Sequence, residues 1–254
     1  MASLLPEDLL KTTVLIGVQK DKGFQPIGTG FLLNFQNKIL LITCKHVAEK
    51  DKNNFIIIFN LKDGSIASRP LKVLKERHNF DWRFHKNADI AAIIFGIDVS
   101  KDDLLLVPHD FVENYESLEI GDDVFFLGYP MGITSQESAY PLARSGIVST
   151  KIGNGVILID GNSFSGNSGG PVFLKPAIFD LKKKEIGKIR PPKLIGMIFE
   201  NINYEDVAVS VQTERPRVIF SENSALARAY SVNKIFELLE SEEFKKYISG
   251  EIRP

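Results

Sequence analysis

Cysteine is almost missing from this chain: Cys44 is the only one in 254 residues. No intrachain disulfide can form. A large secreted protein is often stapled by several, so a reducing, cytoplasmic setting is expected. A charge of one sign is missing too. The 31 Lys and Arg stand against 32 Asp and Glu, a net charge of −1. No global field therefore draws the protein to nucleic acid or to an anionic membrane. Lys182, Lys183, Lys184, Lys188 and Arg190 make one basic stretch, interrupted by Glu185, which reads as a solvated loop. Long apolar runs are lacking; stretches such as Phe55 to Phe59 are far too short to span a bilayer. The first residues have neither a basic n-region nor an apolar h-region, so no signal peptide is expected. Clustered Cys/His spacing is absent, and Cys44 with His46 is a poor isolated pair, so no metal site is expected.

What is present is a series of short β-type runs. They include Thr12–Gln19, Gly30–Phe35, Lys38–Thr43, Phe55–Asn60, Asp89–Phe95, Val124–Leu127, Gly146–Thr150, Val156–Asp160, Pro171–Leu174 and Leu194–Phe199. They are rich in Val, Ile and Phe, as half-buried strands are. Asp63-Gly64 is a hairpin-turn signal. The pattern predicts an all-β sandwich or barrel. The polar segment Asp98–Leu118 serves as a connector, dividing the chain into lobes 1–110 and 111–254. From Val232 on, Ile235, Phe236, Leu238, Leu239 and Phe244 recur at helical spacing behind a candidate N-cap, Ser231. This predicts one terminal helix of about Val232 to Ser249, with ends good to roughly 2–4 residues.

Three segments carry chemistry. Ser165-Gly166-Asn167-Ser168-Gly169-Gly170-Pro171 surrounds one serine with glycine, the residue for unusual dihedrals and close backbone approach. An exposed nucleophilic hydroxyl needs such a setting, with backbone N–H groups converging on a developing oxyanion. Gly166 and Ser168 are the natural donors. A flexible linker is the bland alternative, but Pro171-Val172-Phe173-Leu174 follows at once and reads as a buried strand. Leu40-Leu41-Ile42-Thr43-Cys44-Lys45-His46 ends an apolar strand on a histidine. Neutral imidazole is the side chain best able to accept a hydroxyl proton near neutral pH. Asn87-Ala88-Asp89-Ile90-Ala91 opens an apolar strand with a carboxylate, and a buried carboxylate needs partners. A histidine Nδ1–H is one such partner; capping of the strand is the other reading. Asp81 is a weaker substitute for Asp89. Cys44 as nucleophile lacks a glycine-lined oxyanion loop.

The order His46, Asp89, Ser168 is that of chymotrypsin-type triads. Gly28-Thr29-Gly30-Phe31, Thr43-Cys44-Lys45-His46-Val47, Asp89-Ile90-Ala91, Gly128-Tyr129-Pro130-Met131-Gly132, Ser145-Gly146-Ile147-Val148-Ser149 and Gly166–Pro171 together resemble the trypsin-like serine peptidases. The HtrA/Deg subgroup is nearest in pattern. Leu194-Ile195-Gly196-Met197 and Ala229-Tyr230-Ser231-Val232 resemble that subgroup's pocket strands. The resemblance runs over roughly residues 12 to 248. It implies two six-stranded antiparallel β-barrels with the triad between them and a C-terminal α-helix. It also implies a serine endopeptidase acting on protein or peptide substrates, with no metal or organic cofactor.

Asn167 departs from the digestive relatives, where an aspartate pairs with a new N-terminal ammonium. Neutral Asn167 cannot form that pair, so no proteolytic activation is expected, and ordering of the loop by substrate or partner is the expected control. By resemblance, Asn162 lies near the pocket floor, Ile198, Phe199, Glu200 and Asn201 form one wall, and Arg228 or Ala229 another. No aspartate stands at the floor, which disfavours Lys or Arg before the scissile bond and favours an apolar or small residue. Arg228 could instead recruit an acidic side chain. Two long insertions, 176–192 and 200–224, are candidate sites for a regulatory protein partner, and Val207–Val211 with Val218–Phe220 could form an extra hairpin. No PDZ module is expected after the helix. A catalytically silent relative that binds protein through the cleft is the alternative function; three dispersed residues kept in register argue against it.

Overall fold

The computed structural model describes residues 7–21, 23–50, 54–78, 80–134, 137–180 and 185–251. Strands β1 (Thr13–Lys20), β2 (Gly23–Phe35), β3 (Lys38–Thr43), β4 (Phe55–Asn60), β5 (Ile66–Pro70), β6 (Arg83–Phe84), β7 (Ala91–Ile94) and β8 (Val107–Pro108) form the first sheet. Their order is β5-β4-β1-β2-β3-β7-β6, with β8 added beside β2. The runs of Val, Ile and Leu bury almost the whole of β1, β3 and β7. Between β2 and β3, Gln36 and Asn37 both have positive φ. That is the backbone a two-residue hairpin requires for its twist to match the strands. The Asp63-Gly64 signal turns β4 into β5, with Gly64 at φ +87° and Asp63 Oδ1 accepting from the N–H and Oγ–H of Ser65.

The second sheet closes on itself. It contains β9 (Asp123–Gly128), β10 (Leu142–Gly153), β11 (Val156–Asp160) and β12 (Pro171–Leu174). A hairpin of β13 (Ala177–Asp180) and β14 (Glu185–Arg190) follows. Then come the long β15 (Lys193–Val209) and β16 (Pro216–Ser231). The barrel order is β10-β11-β16-β15-β12-β9. With the first sheet, this is a chymotrypsin-like double β-barrel architecture. The first sheet has eight strands rather than six, because β6 and β8 are two residues long and leave no period-2 signal.

Two short helices punctuate the first sheet: α1 (Lys45–Ala48) and α2 (Leu71–His78). The expected terminal helix is two helices, α3 (Val232–Leu239) and α4 (Glu242–Ser249). The break falls at Ser241, whose Oγ accepts from Phe244 N–H and caps α4. Glu242 and Glu243 then complement the dipole of its first turn. Ser231 does stand at the N-cap of α3, but its hydroxyl caps nothing. Ile235, Leu239, Phe244 and Tyr247 belong to the first sheet's core, together with Phe125, Phe173 and Met197 of the second. The chain's end therefore returns to the first sheet and helps to hold the two together. Among the described residues no helix is long and apolar enough to cross a membrane.

Candidate active site

The site begins with strand register. Thr43 at the end of β3 pairs with Ala91 at the start of β7. Asp89 lies two residues before Ala91 and His46 three after Thr43, so the two loops meet at one end of the sheet. Asp89 Oδ1 accepts from the His46 backbone N–H at 2.8 Å, and Oδ2 lies 2.5 Å from His46 Nδ1. The carboxylate thus holds His46 by both backbone and ring and places the ring proton on Nδ1, leaving Nε2 as an acceptor. The His46 side chain is 44% exposed and Asp89 27%. Burial pushes the Asp89 carboxyl pKa up. The hydrogen bonds from the His46 ring and backbone and from the Lys45 backbone outweigh it, and the net shift is downward.

The turn that carries Asp89 is itself braced. His85, buried, accepts at Nδ1 from the backbone N–H groups of Asn87 (3.0 Å) and Ala88 (2.9 Å). Its own N–H donates to Ile90 O. Two N–H groups aimed at Nδ1 put the ring proton on Nε2, which faces Glu237 of α3 at 3.2 Å. This brace was not legible in the sequence beyond a histidine four residues before the aspartate. Asp81 is engaged elsewhere, by Lys75 Nζ at 2.7 Å.

Ser168 sits on the loop that enters β12. The carbonyls of residues 165 to 168 are each met by a donor: Ser165 O by Met131 N–H (2.6 Å), Asn167 O by Gly170 N–H (2.8 Å), Ser168 O by Thr29 N–H (2.8 Å). Gly166 O accepts the Thr29 hydroxyl at 2.6 Å. The Gly166 and Ser168 N–H groups, in contrast, donate to no described residue. Gly166 (φ +102°) and Gly169 (φ +90°) take backbone conformations that favour glycine. A Cβ on Gly169 would lie 1.9 Å from Thr29 O, and one on Gly166 2.2 Å from Tyr129 O.

Thr29 is therefore the joint between the sheets. Its own carbonyl takes the Thr43 hydroxyl at 2.7 Å, and its Oγ1 accepts from Tyr129 N–H at 3.2 Å. Beside it, a Cβ on Gly28 would meet both Val47, the neighbour of His46, and Ser168 O within 3.2 Å. The histidine and serine loops thus lie against one another. Ser168 Oγ has no hydrogen bond to a described residue; such nucleophile–base contacts often tighten only with substrate present. Cys44 is fully buried and its Sγ faces Ile198 O at 3.4 Å. Burial first, and the Asp89 charge second, push its thiol pKa well up, so no thiolate is on offer. Cys44, His46 and Asp89 place one ligand atom each within 4.8 Å of one another. A buried neutral thiol and a histidine–aspartate hydrogen bond are a poor fit to a bound cation.

The pocket residues divide. Asn162 is exposed, beside Leu142–Ser145 at a depression of about 420 Å³. Ile198 and Ala229 are wholly buried in the second core and offer only backbone to a cleft. Phe199 stacks on Tyr230 with ring centroids 4.1 Å apart. Glu200 and Arg228 are spent on each other at 2.7 Å, and Asn201 is half-buried. Asn223 and Ala225, which carry no sequence signal, lie nearest the loop before Ser168: Asn223 Nδ2 donates to Ser163 O at 2.5 Å and Gly161 N–H to Ala225 O at 2.8 Å. A smaller cleft of about 140 Å³ lies on the other side of the loop, lined by Pro26, Ile27, Met131, Gly132, Ser165 and Gly166.

Two β-barrel sheets, with a glycine-wrapped serine loop packed beside the loop of a histidine–aspartate pair, make a chymotrypsin-like architecture. Residues 28–176 match the trypsin-like peptidase domain family. That is more than half of the chain, and the chain belongs to this family. The match takes in His46, Asp89 and Ser168 but stops before β15. Among solved structures, the chain is similar to the serine endoprotease from Yersinia pestis, with a TM-score of 0.53 and 16% identity over 92% of this chain. It spans 63% of that chain's length, and at such identity the likeness is one of fold. No curated protein matches the sequence significantly.

Proposed function

We propose that this protein is a serine endopeptidase working through Ser168, His46 and Asp89. The observation that supports the reading is the Thr29 joint: Thr29 holds Gly166 O and Ser168 O of the serine loop, and its carbonyl takes the hydroxyl of Thr43, three residues before His46. His46 Nε2 removes the Ser168 proton as Oγ attacks a peptide carbonyl. The imidazolium so formed is stabilised by Asp89 through Nδ1. The carbonyl oxygen becomes an oxyanion facing the N–H groups of Gly166 and Ser168. His46 then gives the proton to the leaving amine and the C–N bond breaks. Water, deprotonated by the same imidazole, hydrolyses the acyl-enzyme and regenerates Ser168. No cofactor enters any step.

Proteolytic activation has no place in this reading. Asn167 is buried and neutral, and its Nδ2 is within 3.4 Å of Ser163 Oγ. Specificity follows from what is already occupied. Asn162 brings no negative charge and Arg228 is neutralised by Glu200. A small or apolar residue before the scissile bond is therefore favoured over Lys, Arg, Asp or Glu. The lone cysteine supports a reducing, cytoplasmic setting.

The test is covalent labelling with a fluorophosphonate probe, comparing wild type with Ser168→Ala and His46→Ala. Labelling of wild type alone, mapped to Ser168, is the expected result. Folded wild type that does not label would overturn the reading and leave a silent relative that only binds.

A further inference from the structure

β15 does not end where the barrel does. Its first residues, Lys193 to Met197, pair with β12, and β16 joins on the other side from Gly196; beyond Met197 only β16 pairs with it among the described strands. From Phe199 to Val209 one edge is open among the described residues. Eleven residues of strand span about 36 Å, against a usual strand of about 5–6 residues. The far part, Asn203 to Val209 paired with Pro216 to Asn223, stands out from the barrel as a two-stranded ribbon.

Exposed edges are ordinarily protected by lysine, proline or brevity. Residues 198–209 contain no Lys, Arg or Pro. Register shifts at Ile198/Glu200, Ile202/Asn203 and Ala208/Val209 bend this edge but leave it unpaired. Directly paired residues share a face, and the ribbon is apolar on both. Tyr204, Ala208, Val218 and Phe220 lie on one, Val207 and Ile219 on the other. Tyr204 is 62% exposed, Ile219 60% and Phe220 56%. Acid outnumbers base on the ribbon: Glu205, Asp206 and Glu222 are exposed, against Arg217 alone.

The open edge starts at the nucleophile loop. Ile198 N–H donates to Gly170 O and Ile198 O accepts from Gly169 N–H. β15 then runs outward, away from Ser168. A chain added antiparallel to it therefore has its C-terminal end at Ser168 and its preceding residues along the ribbon.

From this continuity and charge we infer that the ribbon is a docking edge for substrate. The occupant is an extended segment of about ten residues on the N-terminal side of the scissile bond, with alternating apolar side chains and one or more Lys or Arg. Main-chain hydrogen bonds to the edge would supply affinity, and side chains at alternate positions selectivity. The inference deepens the endopeptidase reading and rests on it.

Binding to Ser168→Ala tests it without requiring turnover. The probes are fluorescein-labelled peptides: three repeats of Val-Thr-Val-Lys, three repeats of Val-Thr-Val-Glu, and a single Val-Thr-Val-Lys. Fluorescence anisotropy is expected to show the long basic peptide bound at least about tenfold more tightly than the single repeat, with no such gain for the acidic one. The gain is expected to vanish when residues 204–222 are replaced by an Asn-Gly turn. It should also vanish in the doubly substituted Val207→Lys/Phe220→Lys chain, which keeps the ribbon's length should the shortened chain misfold. Equal binding of all three peptides, or a gain that survives both changes, overturns the inference. So does sedimentation showing a wild-type dimer that the changes make monomeric, with no gain from peptide length, since the ribbon would then pair with a second copy. Ser168 labelling is read separately on the wild type. A labelled serine with no length gain refutes the docking edge alone; a length gain with no labelling refutes the endopeptidase alone.

Discussion

Replacing Thr29 with valine removes one oxygen and preserves shape. That oxygen donates to Gly166 O at 2.6 Å and accepts from Tyr129 N–H at 3.2 Å. Both partners would be left unpaired at the joint of the two sheets, and an orphaned buried group costs about 1–3 kcal/mol. The pair together gives a loss of about 2–6 kcal/mol, which in a chain of this size lowers Tm by roughly 4–24 °C. Freed from Thr29, the Gly166–Asn167 peptide unit can turn and carry Gly166 with it, so the Gly166 N–H loses its aim at the oxyanion. Losing one such donor costs about 10²–10³ in rate. The assay is the rate of fluorophosphonate labelling at Ser168 beside a thermal melt, for wild type, Thr29→Val and Thr29→Ser. Serine keeps the hydroxyl and is expected to keep most of the labelling rate. Thr29→Val labelling at the wild-type rate while the Tm falls would show that the joint serves stability alone, and the reasoning would be refuted.

Asp89→Asn keeps shape but loses the carboxylate that orients His46, and labelling is expected to slow by about 10⁴. The Asp89 carboxyl is held below its ordinary 3.8 by the net effect of its His46 contacts against burial. Its contribution to stability is thus present above 3.8 and lost as pH falls through the folded value. The difference in Tm between wild type and Asp89→Asn should therefore shrink below about pH 4; a difference that grows on acidification would contradict the sign. His85→Ala removes the acceptor of the Asn87 and Ala88 N–H groups. The shifted Asp89 turn is expected to slow labelling by about 10², as a misplacement of roughly 1 Å does, and an unaltered rate would dismiss the brace. Gly169→Ala forces a Cβ to 1.9 Å from Thr29 O at φ +90°. A loss of more than about 4 kcal/mol in chemical denaturation is expected, and a variant within 1 kcal/mol of wild type would show that the loop yields. Arg228→Ala breaks an exposed ion pair with Glu200 and should move stability by no more than about 1 kcal/mol.

The three residues proposed for the chemistry were legible as candidates because each lies in a local motif whose neighbours do local work. Gly166 and Gly169 are glycine because their φ is positive, and His46 and Asp89 each flank an apolar strand that announces itself. Thr29 was legible only as part of a strand. Its role depends on Gly166, 137 residues away, and no spacing rule reaches that far. His85 acts through an acceptor nitrogen beneath backbone N–H groups, which leaves no mark on composition. The pocket was the least legible part, and bulges are the reason. The shift between Ile198 and Glu200 alters which side chains of β15 face out. That between Ile202 and Asn203 leaves Ser224 and Ala225 unpaired on β16, with Ala225 at φ +62°. The resemblance puts Ala229 at a wall, whereas this chain buries it in the second core. The terminal helices were read as one because their apolar spacing is nearly continuous; only the cap at Ser241 divides them.

The hydrogen bonds also bear on where control can act. A gated oxyanion loop must turn a carbonyl toward the hole, yet the carbonyls of 165, 166, 167 and 168 are each taken by a donor, from Met131, Thr29, Gly170 and Thr29 in turn. The Gly166 N–H shares its peptide unit with the Ser165 carbonyl, so collapse of the hole needs only that unit to turn and breaks one bond, from Met131 N–H, at a net cost of about 1 kcal/mol. That leaves the formed loop favoured about fivefold, since each 1.4 kcal/mol is tenfold. Ordering of this loop by substrate or partner, which the sequence suggested, then needs only a modest difference in affinity between the two forms. The proposed β15 edge would act by another route. Occupying it selects which chains present a bond to Ser168, and it disturbs none of the bonds that hold the nucleophile in place.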